Sequence, residues 1–378
     1  MFSFIIWNGS PIVFSIGPFV LRWYVLLFVL GFFIARAVLV HIYKKEGKPA
    51  ADVEKLTIYI LIAAVIGLRL GYALFYEPNR IMAKPLEAFL PFQFQPSFQF
   101  AGIQRLSGYG GVIAVMIAVW LYARKGKAGQ QYLQVLDRVM IAIALTGVFV
   151  GIGSFFNSEI PGKQTSSKSG VVFVRPVTDG LQKLPCCIMR NPGGPNPLQD
   201  VEVKPDTALH PKTTGHSAVL MYLFFKPGAT EQLVKEFLIG DVKTHLFDNS
   251  KLIYESGEEP LHYTIFQEKE DVFTGRVRTT GIARHAVQLY EAISYLFLFF
   301  AMFMIWKKQK DTLPAGRLTG LFLIGSAVFN FLIGFAKEVQ ARFEMSMALN
   351  MGQIISISML FIGVALLFIS TRKTVVKK

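Results

Sequence analysis

Long apolar runs alternate with short charged segments along most of this 378-residue chain. A helix that crosses a bilayer needs about 20 mostly apolar residues. Hydrophobic residues make up 52% of the chain and include 34 phenylalanines, which is typical of a polytopic membrane protein. We therefore predict an all-α membrane protein with seven transmembrane helices, at residues 18–42, 56–76, 108–123, 138–156, 286–306, 317–336 and 350–371.

Basic residues are divided unevenly between the two sets of short connections. One set carries four basic residues at each of its three connections and four more in the C-terminal tail. The other set carries far fewer, among them Arg80, Lys84, Arg105 and Arg342. Because basic loops stay in the cytoplasm, this predicts an N-terminus on the outer side of the membrane and a C-terminus on the cytoplasmic side. The net charge of +14 lies mostly in these loops, so we predict no nucleic-acid partner.

A polar segment of about 120 residues separates the first four apolar runs from the last three. It divides the chain into an N-terminal membrane block at 1–162, an outer insert at 163–284 and a C-terminal membrane block at 285–378. In the insert, alternating patterns and one helical pattern predict a small α+β module. The module has strands at 217–225, 242–246 and 261–267 and a helix at 229–238, after an irregular, Gly- and Pro-rich part at 176–216.

The chain has two cysteines, Cys186 and Cys187, which are adjacent within the insert. Adjacent cysteines rarely bond each other, because disulfide geometry favours Cα atoms about 4.4–6.8 Å apart. Further metal ligands at suitable spacing are not evident in the sequence, so we predict structural thiols and no metal site.

Polar side chains interrupt the apolar runs near the predicted outer face of the membrane. Such groups are functional candidates because they are unfavourable in hydrocarbon. Together they predict a polar pocket that opens towards lipid headgroups. Each group also has a structural explanation, such as an interface anchor, a helix cap or, for Gly108, Gly110 and Gly111, close helix packing. The polar groups are Arg22, Tyr24, Arg69, Asn157, Glu159, Arg284, His285, Gln288, Glu291, Asn330 and Gln353.

At these residues the chain resembles the bacterial phosphatidylglycerol–prolipoprotein diacylglyceryl transferase family. The resemblance covers all seven runs in order. The stretches that carry it are Leu21–Tyr24, Arg69–Tyr72, Gly108–Gly111, Phe155–Gly162 and Arg284–Glu291, with Gly320–Gly325 and Met351–Ile354.

This resemblance implies a location, a function and a set of site residues. It places the chain in the bacterial inner membrane, with the N-terminus and the insert at 163–284 in the periplasm and the C-terminus in the cytoplasm. The family moves the diacylglyceryl group of phosphatidylglycerol to the lipobox cysteine thiol of a preprolipoprotein, and the resemblance implies no cofactor. The implied partners are phosphatidylglycerol or a related phospholipid, a lipoprotein signal peptide, and an envelope protein that contacts 163–284. The implied catalytic residues, if the chain is active, are Tyr24, Arg69, Asn157, Glu159, Arg284 and His285. The implied lipid-binding residues are Tyr109, Gly110, Gly111, Ser154, Gly162, Gln288 and Glu291.

The chain departs from the family pattern at its charged positions. Tyr109 replaces a histidine, Gly151 and Ser154 replace an arginine and an asparagine, and Asn330 and Gly334 replace an arginine and a glutamate. An arginine clamp holds phosphate through charge-assisted hydrogen bonds, and loss of one preorganised donor can lower a rate by roughly 10²–10³.

Two hypotheses follow from these departures. The first is a weak or inactive paralogue that binds lipid or lipoprotein, or that acts as a scaffold for an envelope partner. The alternative is an active transferase in which Arg69, Arg284 and His285 take over phosphate binding and proton transfer.

Overall fold

The computed structural model describes residues 4–17, 19–76, 92–93, 99–100, 108–126, 129–185, 194–208, 213–269, 272–310, 312–339 and 342–375. Cys186, Cys187, Arg80, Lys84 and Arg105 lie outside these ranges. The helices are α1 Trp23–Lys45, α2 Ala50–Tyr76, α3 Gly108–Ala123, α4 Tyr132–Phe156, α5 Arg175–Leu181, α6 Glu231–Phe237, α7 Lys243–Asp248, α8 Val287–Gln309, α9 Arg317–Ala336 and α10 Met351–Val375. The strands are β1 Ile5–Trp7, β2 Ile12–Ile16, β3 Phe19–Arg22, β4 Phe92–Gln93, β5 Gln99–Phe100, β6 Val171–Phe173, β7 Leu198–Pro205, β8 His216–Phe225, β9 Ile253–Tyr254, β10 Tyr263–Lys269 and β11 Val272–Arg284.

Within the described residues, six helices are long and apolar enough to cross a membrane: α1, α2, α4, α8, α9 and α10. They coincide with six of the seven predicted runs. The helix α3 coincides with the remaining run, but it has only 16 residues. At a rise of about 1.5 Å per residue it is roughly 24 Å long, which is less than a hydrocarbon core of about 30 Å. The seventh span therefore stays a prediction.

The chain forms two compact units. One contains Met1–Phe28, Val150–Ile293 and Phe331–Gly352, and we call it the sheet unit. The other contains Val29–Phe149, Ser294–Asn330 and Gln353–Lys378, and we call it the helical unit.

Apolar side chains from several helices form the core of the helical unit. The largest fully buried side chains in this core include Tyr43, Ile42, Leu56 and Ile141. Buried charges in this unit all have partners. Asp137, which is fully buried, accepts hydrogen bonds from the backbone nitrogens of Gly316 and Thr319 at 2.8 and 2.7 Å. These groups lie at the start of α9, where free N–H groups and the helix dipole favour a carboxylate.

A second buried acid of the helical unit is Glu46, just after α1. Its carboxylate accepts hydrogen bonds from Arg138 at 2.9 Å, from Lys48 at 2.7 Å and from the Trp306 indole at 2.8 Å. Burial alone raises the pKa of Glu46, but Arg138 and the hydrogen bonds outweigh it, and the pKa is lowered from its usual value. This carboxylate therefore remains charged among its three donors.

The sheet unit is built around β11, a strand of 13 residues. The strand order is β1-β6-β11-β8-β7, and β10 and β9 also pair with β11. β11 runs antiparallel to β8 from Thr274 opposite Phe224 to Ile282 opposite His216. The side chains of Val219, Met221 and Leu223 from β8 pack with α6 and α7 in one apolar core. This module contains the predicted α+β part of the insert.

Three local predictions for the insert are confirmed and two are wrong. β10, at Tyr263–Lys269, occupies most of the predicted strand at 261–267. β8 and α6 occupy the predicted strand at 217–225 and helix at 229–238. The segment 242–246 is helical, because Val242 and Leu246 are both fully buried four residues apart, which is a helical spacing. The segment 176–216 contains α5, which has a proline in its first turn, and the strand β7, so it is not irregular throughout.

Candidate functional site

The candidate site lies in the sheet unit at the end of α4. There the backbone nitrogen of Ser158 bonds to the oxygen of Phe155 at 2.9 Å, and that of Glu159 bonds to the oxygen of Ser154 at 3.1 Å. This pair of bonds is a Schellman motif, which closes a helix with one residue in the left-handed conformation. That residue is normally glycine, but here it is Ser158 with φ of 52°. Ile160, two residues later, also has a positive φ of 45°.

The two left-handed residues flank Glu159 and fix its position. Left-handed backbone in residues with a side chain costs about 1–3 kcal/mol and is concentrated at functional sites. The Asn157 side-chain nitrogen donates to the Glu159 carboxylate at 3.0 Å. The Gln288 side-chain nitrogen donates to the Glu159 backbone oxygen. Glu159 thus receives a hydrogen bond from each of two amide side chains.

These bonds also orient both amides. Because a carboxylate and a carbonyl accept only, each amide must turn its nitrogen towards Glu159. The oxygens of Asn157 and Gln288 then point elsewhere, and both are buried without a partner among the described residues. Gln288 itself is 3% exposed. The amide oxygens left at this helix end are therefore hydrogen-bond acceptors, whereas a phosphate needs donors.

Gly162 lies between two other segments of the sheet unit. Its backbone nitrogen donates to the His285 oxygen at 2.9 Å, and Lys163 donates to the Ala336 oxygen at 2.7 Å. A Cβ at residue 162 would lie 2.6 Å from the Ala336 oxygen and 2.7 Å from the His285 Cβ. Only glycine therefore fits between these two chains.

Arg284, the last residue of β11, is 5% exposed. Its Nε donates to the Lys251 oxygen at 2.8 Å, and its Nη1 donates to the Gly162 oxygen at 2.6 Å and to the Glu338 carboxylate at 2.9 Å. The guanidinium is thus engaged by two backbone carbonyls and one carboxylate. It joins β11, the chain after α4 and the chain after α9. The catalytic role of Arg284 stays a prediction.

The remaining ionisable groups of the predicted pocket lie around the start of α8. His285 precedes this helix, and its Nδ1 is 3.1 Å from the Tyr290 hydroxyl. Burial lowers the pKa of the His285 imidazole from its usual value, which favours the neutral ring. Glu291 forms an ion pair with Lys337 at 2.5 Å.

Two predicted groups, Arg69 and the glycines that follow Tyr109, belong to the helical unit. Arg69 is half-buried within α2. A Cβ at Gly110 would lie 2.5 Å from the Gly71 Cα, and one at Gly111 would lie 2.8 Å from Leu68. These glycines allow α3 to pack closely on α2, as the structural explanation predicted. Their role in lipid binding stays a prediction, and the side chain of Tyr109 lies outside the described part.

The comparison with protein families decides the family. The model of the prolipoprotein diacylglyceryl transferase family matches residues 11–369. This chain belongs to that family.

Individual relatives match over nearly the whole chain. A phosphatidylglycerol–prolipoprotein diacylglyceryl transferase of Bacteroides fragilis is 28% identical over 373 residues, which cover 98% of this chain and 97% of the relative. Transferases with the same name from Tolumonas auensis and Chloroherpeton thalassium are each 26% identical. They cover 97% and 100% of this chain, and 98% of each relative is matched.

The family resemblance expects an arginine at Gly151, and the packing around this residue leaves no room for one. A Cβ at Gly151 would lie 2.9 Å from the Ala292 Cβ and 2.9 Å from the Gln288 oxygen, both in α8. Gly153 faces the other way, where a Cβ would lie 3.0 Å from the Tyr24 Cα in α1. The last turns of α4 are thus in close backbone contact on two sides.

Sequence reasoning found the polar ends of the apolar runs but missed their partners. Glu338 and Lys337 follow α9 directly and pair with Arg284 and Glu291. Their position just beyond an apolar run, as for Asn157 and Glu159, is the signal that could have identified them. The backbone oxygen of Lys251 gave no such signal, because any residue can supply a carbonyl.

Proposed function

We propose that this chain is an inner-membrane member of the prolipoprotein diacylglyceryl transferase family that transfers diacylglyceryl groups slowly or not at all. In this proposal the chain keeps the family's seven-span topology, with a periplasmic N-terminus and a cytoplasmic C-terminus. It retains the site at the end of α4, where the Asn157 and Gln288 oxygens would accept hydrogen bonds from the glycerol hydroxyls of a phospholipid such as phosphatidylglycerol, or from the N–H groups of a lipoprotein segment. The insert at 163–284 is then the surface for an envelope partner.

The observation that carries this proposal is the packing of Gly151. A Cβ at this position would lie 2.9 Å from the Ala292 Cβ and 2.9 Å from the Gln288 oxygen, which leaves no volume for a phosphate-binding side chain. A departing phosphate needs nearby positive charge and hydrogen-bond donors that point at it. Such preorganised donors contribute much of the rate enhancement of an enzyme. With a glycine at this position, the site lacks the means to stabilise the departing glycerol phosphate.

The cations that remain near the site support the same conclusion. Arg284 is engaged by two carbonyls and Glu338, and Lys337 is paired with Glu291. Moving either cation onto a phosphate would leave a carboxylate without its partner. Breaking the ion pair of Arg284 costs more free energy than breaking that of Lys337, because Arg284 is almost fully buried.

The decisive experiment compares this chain with the Tolumonas auensis relative, purified in the same detergent. Both receive phosphatidylglycerol and a lipobox peptide, and mass spectrometry measures the thioether product. We expect a rate at least about 10²-fold lower for this chain, in line with the loss of one preorganised donor. Equal rates would refute the proposal. Rescue of cells depleted of their own transferase gives the same comparison in vivo, with no rescue expected.

A binding measurement separates an inactive lipid-binding protein from an unfolded one. We expect native mass spectrometry to find phosphatidylglycerol retained by the chain, and Asn157→Leu to reduce the retained lipid. The matched control is Gln232→Leu, an amide on the exposed part of α6. If Asn157→Leu retains as much lipid as Gln232→Leu, the end of α4 is not the lipid site.

One observation favours the alternative of an active transferase. The relatives named as transferases match 97% or more of both chains, and Asn157, Glu159 and His285 are present. In this alternative Arg69, Arg284 and His285 take over phosphate binding and proton transfer. It predicts product formation that is abolished by His285→Gln in a protein that still folds. Product formation without loss in this variant would exclude proton transfer by His285.

A further inference from the structure

The helical unit contains a cavity that shares no residue with the site at the end of α4. It has a volume of about 50 Å³ and is lined by Lys55, Tyr122, Ala123, Lys125 and Gln130. One water molecule needs roughly 10–15 Å³ of such space, so the cavity accommodates a group of about three to five non-hydrogen atoms. That size suits a phosphate group.

The floor of this cavity is a rigid polar network. Gln130 and Tyr122 are each 4% exposed. The Gln130 side-chain nitrogen donates to the Asp52 carboxylate at 2.6 Å, and the Tyr122 hydroxyl donates to the Gln130 oxygen at 2.6 Å. Because each partner is held by the next, the wall keeps its shape without a ligand. Asp52 is 3% exposed and lies behind Gln130 in this network.

Two cations line the cavity. Lys55 and Lys125 are both exposed, so neither is buried in the fold. The Lys125 ammonium lies 5.1 Å from the centre of the Tyr59 ring, a cation–π contact that restrains the side chain. Counting Asp52 with the two lysines, the cavity carries one net positive charge. A phosphodiester, with one negative charge, balances it.

The position of the cavity along the helices indicates the source of the phosphate. Lys55 lies near the start of α2 and Lys125 directly after the end of α3, among the basic connections predicted to be cytoplasmic. Ends of membrane helices lie at the level of the lipid headgroups, where lysines attract anionic lipids. We propose that this cavity binds the phosphodiester of an anionic phospholipid on the predicted cytoplasmic face, a second lipid site separate from the end of α4.

Lipid retention by charge variants tests this site. Native mass spectrometry would measure phosphatidylglycerol and phosphatidylcholine bound to the detergent-purified chain. We expect preferential binding of phosphatidylglycerol. The double variant Lys55→Gln/Lys125→Gln should weaken it by roughly fivefold for each lysine. The matched control is Lys44→Gln/Lys45→Gln, which removes the same charge from two exposed residues outside the cavity. It should change affinity less than about twofold.

Two further arms separate the possible outcomes. In the Asn157→Leu background the phosphatidylglycerol that depends on Lys55 and Lys125 should remain, so failure of one lipid site does not imply failure of the other. Inorganic phosphate should not displace the lipid at millimolar concentration. Equal losses in the two double variants would mean that the lysines act only through general surface charge. Tight, lysine-dependent binding of inorganic phosphate would assign the cavity to a soluble phosphate. Either result overturns the proposal.

Discussion

The Arg284 Nη1 lies 2.9 Å from the Glu338 carboxylate, and this ion pair joins the end of β11 to the chain that follows α9. The arginine side chain is 6% exposed and the glutamate side chain 33% exposed. Lys251 lies 3.7 Å from the same carboxylate, but its side chain is 70% exposed. The two cations around Glu338 therefore differ in burial and should differ in their contribution to stability.

Glu338→Gln should lower the free energy of unfolding by about 1–3 kcal/mol, because it removes the charged partner of a nearly buried guanidinium. Lys251→Gln should change it by less than about 0.5 kcal/mol, because exposed ion pairs contribute little. Denaturant unfolding of the detergent-solubilised protein measures both values. Equal effects of the two variants would show that Arg284 does not depend on this ion pair.

Ser158→Gly should stabilise the protein by about 1 kcal/mol. Glycine adopts the left-handed conformation at φ of 52° without strain, and the variant also removes a buried hydroxyl that has no partner among the described residues. The matched control is Ser154→Gly inside α4, which should destabilise by about 0.5–1 kcal/mol. A fall in the melting temperature for Ser158→Gly would show that the hydroxyl has a role that outweighs the strain.

Gly162→Ala should destabilise the protein by more than about 2 kcal/mol, because the new methyl group would lie 2.6 Å from the Ala336 oxygen. Gly240→Ala provides the control, since a Cβ there meets no atom within 4 Å. The control should be neutral or slightly stabilising. Comparable melting temperatures for the two variants would contradict the tight crossing of chains at Gly162.

Acidification should destabilise the fold through His285. Burial lowers the pKa of this imidazole in the folded protein below its ordinary value of 6.5, so the unfolded chain binds a proton first. Stability should be unaffected by this group above pH 6.5 and should decrease as the pH falls below it. Burial also lowers the pKa of His216, so both histidines contribute to the loss of stability of the wild-type protein at low pH.

The variant His285→Gln isolates one of these contributions. Melting temperatures between pH 8 and pH 5 should fall less for this variant than for the wild type. His216→Gln serves as a parallel measurement of the second histidine. If the His285→Gln curve runs parallel to that of the wild type, protonation of His285 is not linked to unfolding.

Much of the helical architecture could be predicted from the sequence, because about 20 apolar residues in a row have few alternatives to a membrane helix. The starts of α2 and α4 each came six residues earlier than predicted. Their first two turns carry polar residues such as Asp52 and Asp137, which are helical but break the apolar pattern. The segment 242–246 was predicted to be a strand because five residues are too few to distinguish the helical period of 3.6 residues from the strand period of 2.

Part of the candidate site was also predicted, from isolated polar residues rather than from the length of apolar runs. Asn157, Glu159, Arg284 and His285 stood out because polar groups at the ends of apolar runs are unusual. Their bonding could not be predicted, since the partner of Arg284 lies 54 residues away in Glu338. Sequence reasoning therefore treated Arg284 as a cation for a ligand, whereas the fold engages it internally.

If the chain is a slow or inactive transferase, as we propose, the packing of Gly151 also bears on how readily activity can return. A single codon change could restore an arginine there, but the side chain would collide with Ala292 and the Gln288 oxygen. α8 would first have to move away from α4, and such a change weakens a close helix contact without any benefit until the arginine arrives. Recovery needs at least two ordered steps, the first of them harmful. The contact between α4 and α8 therefore makes reversion of Gly151 to arginine unfavourable, and the obstacle is the packing of the two helices rather than the chemistry of the reaction.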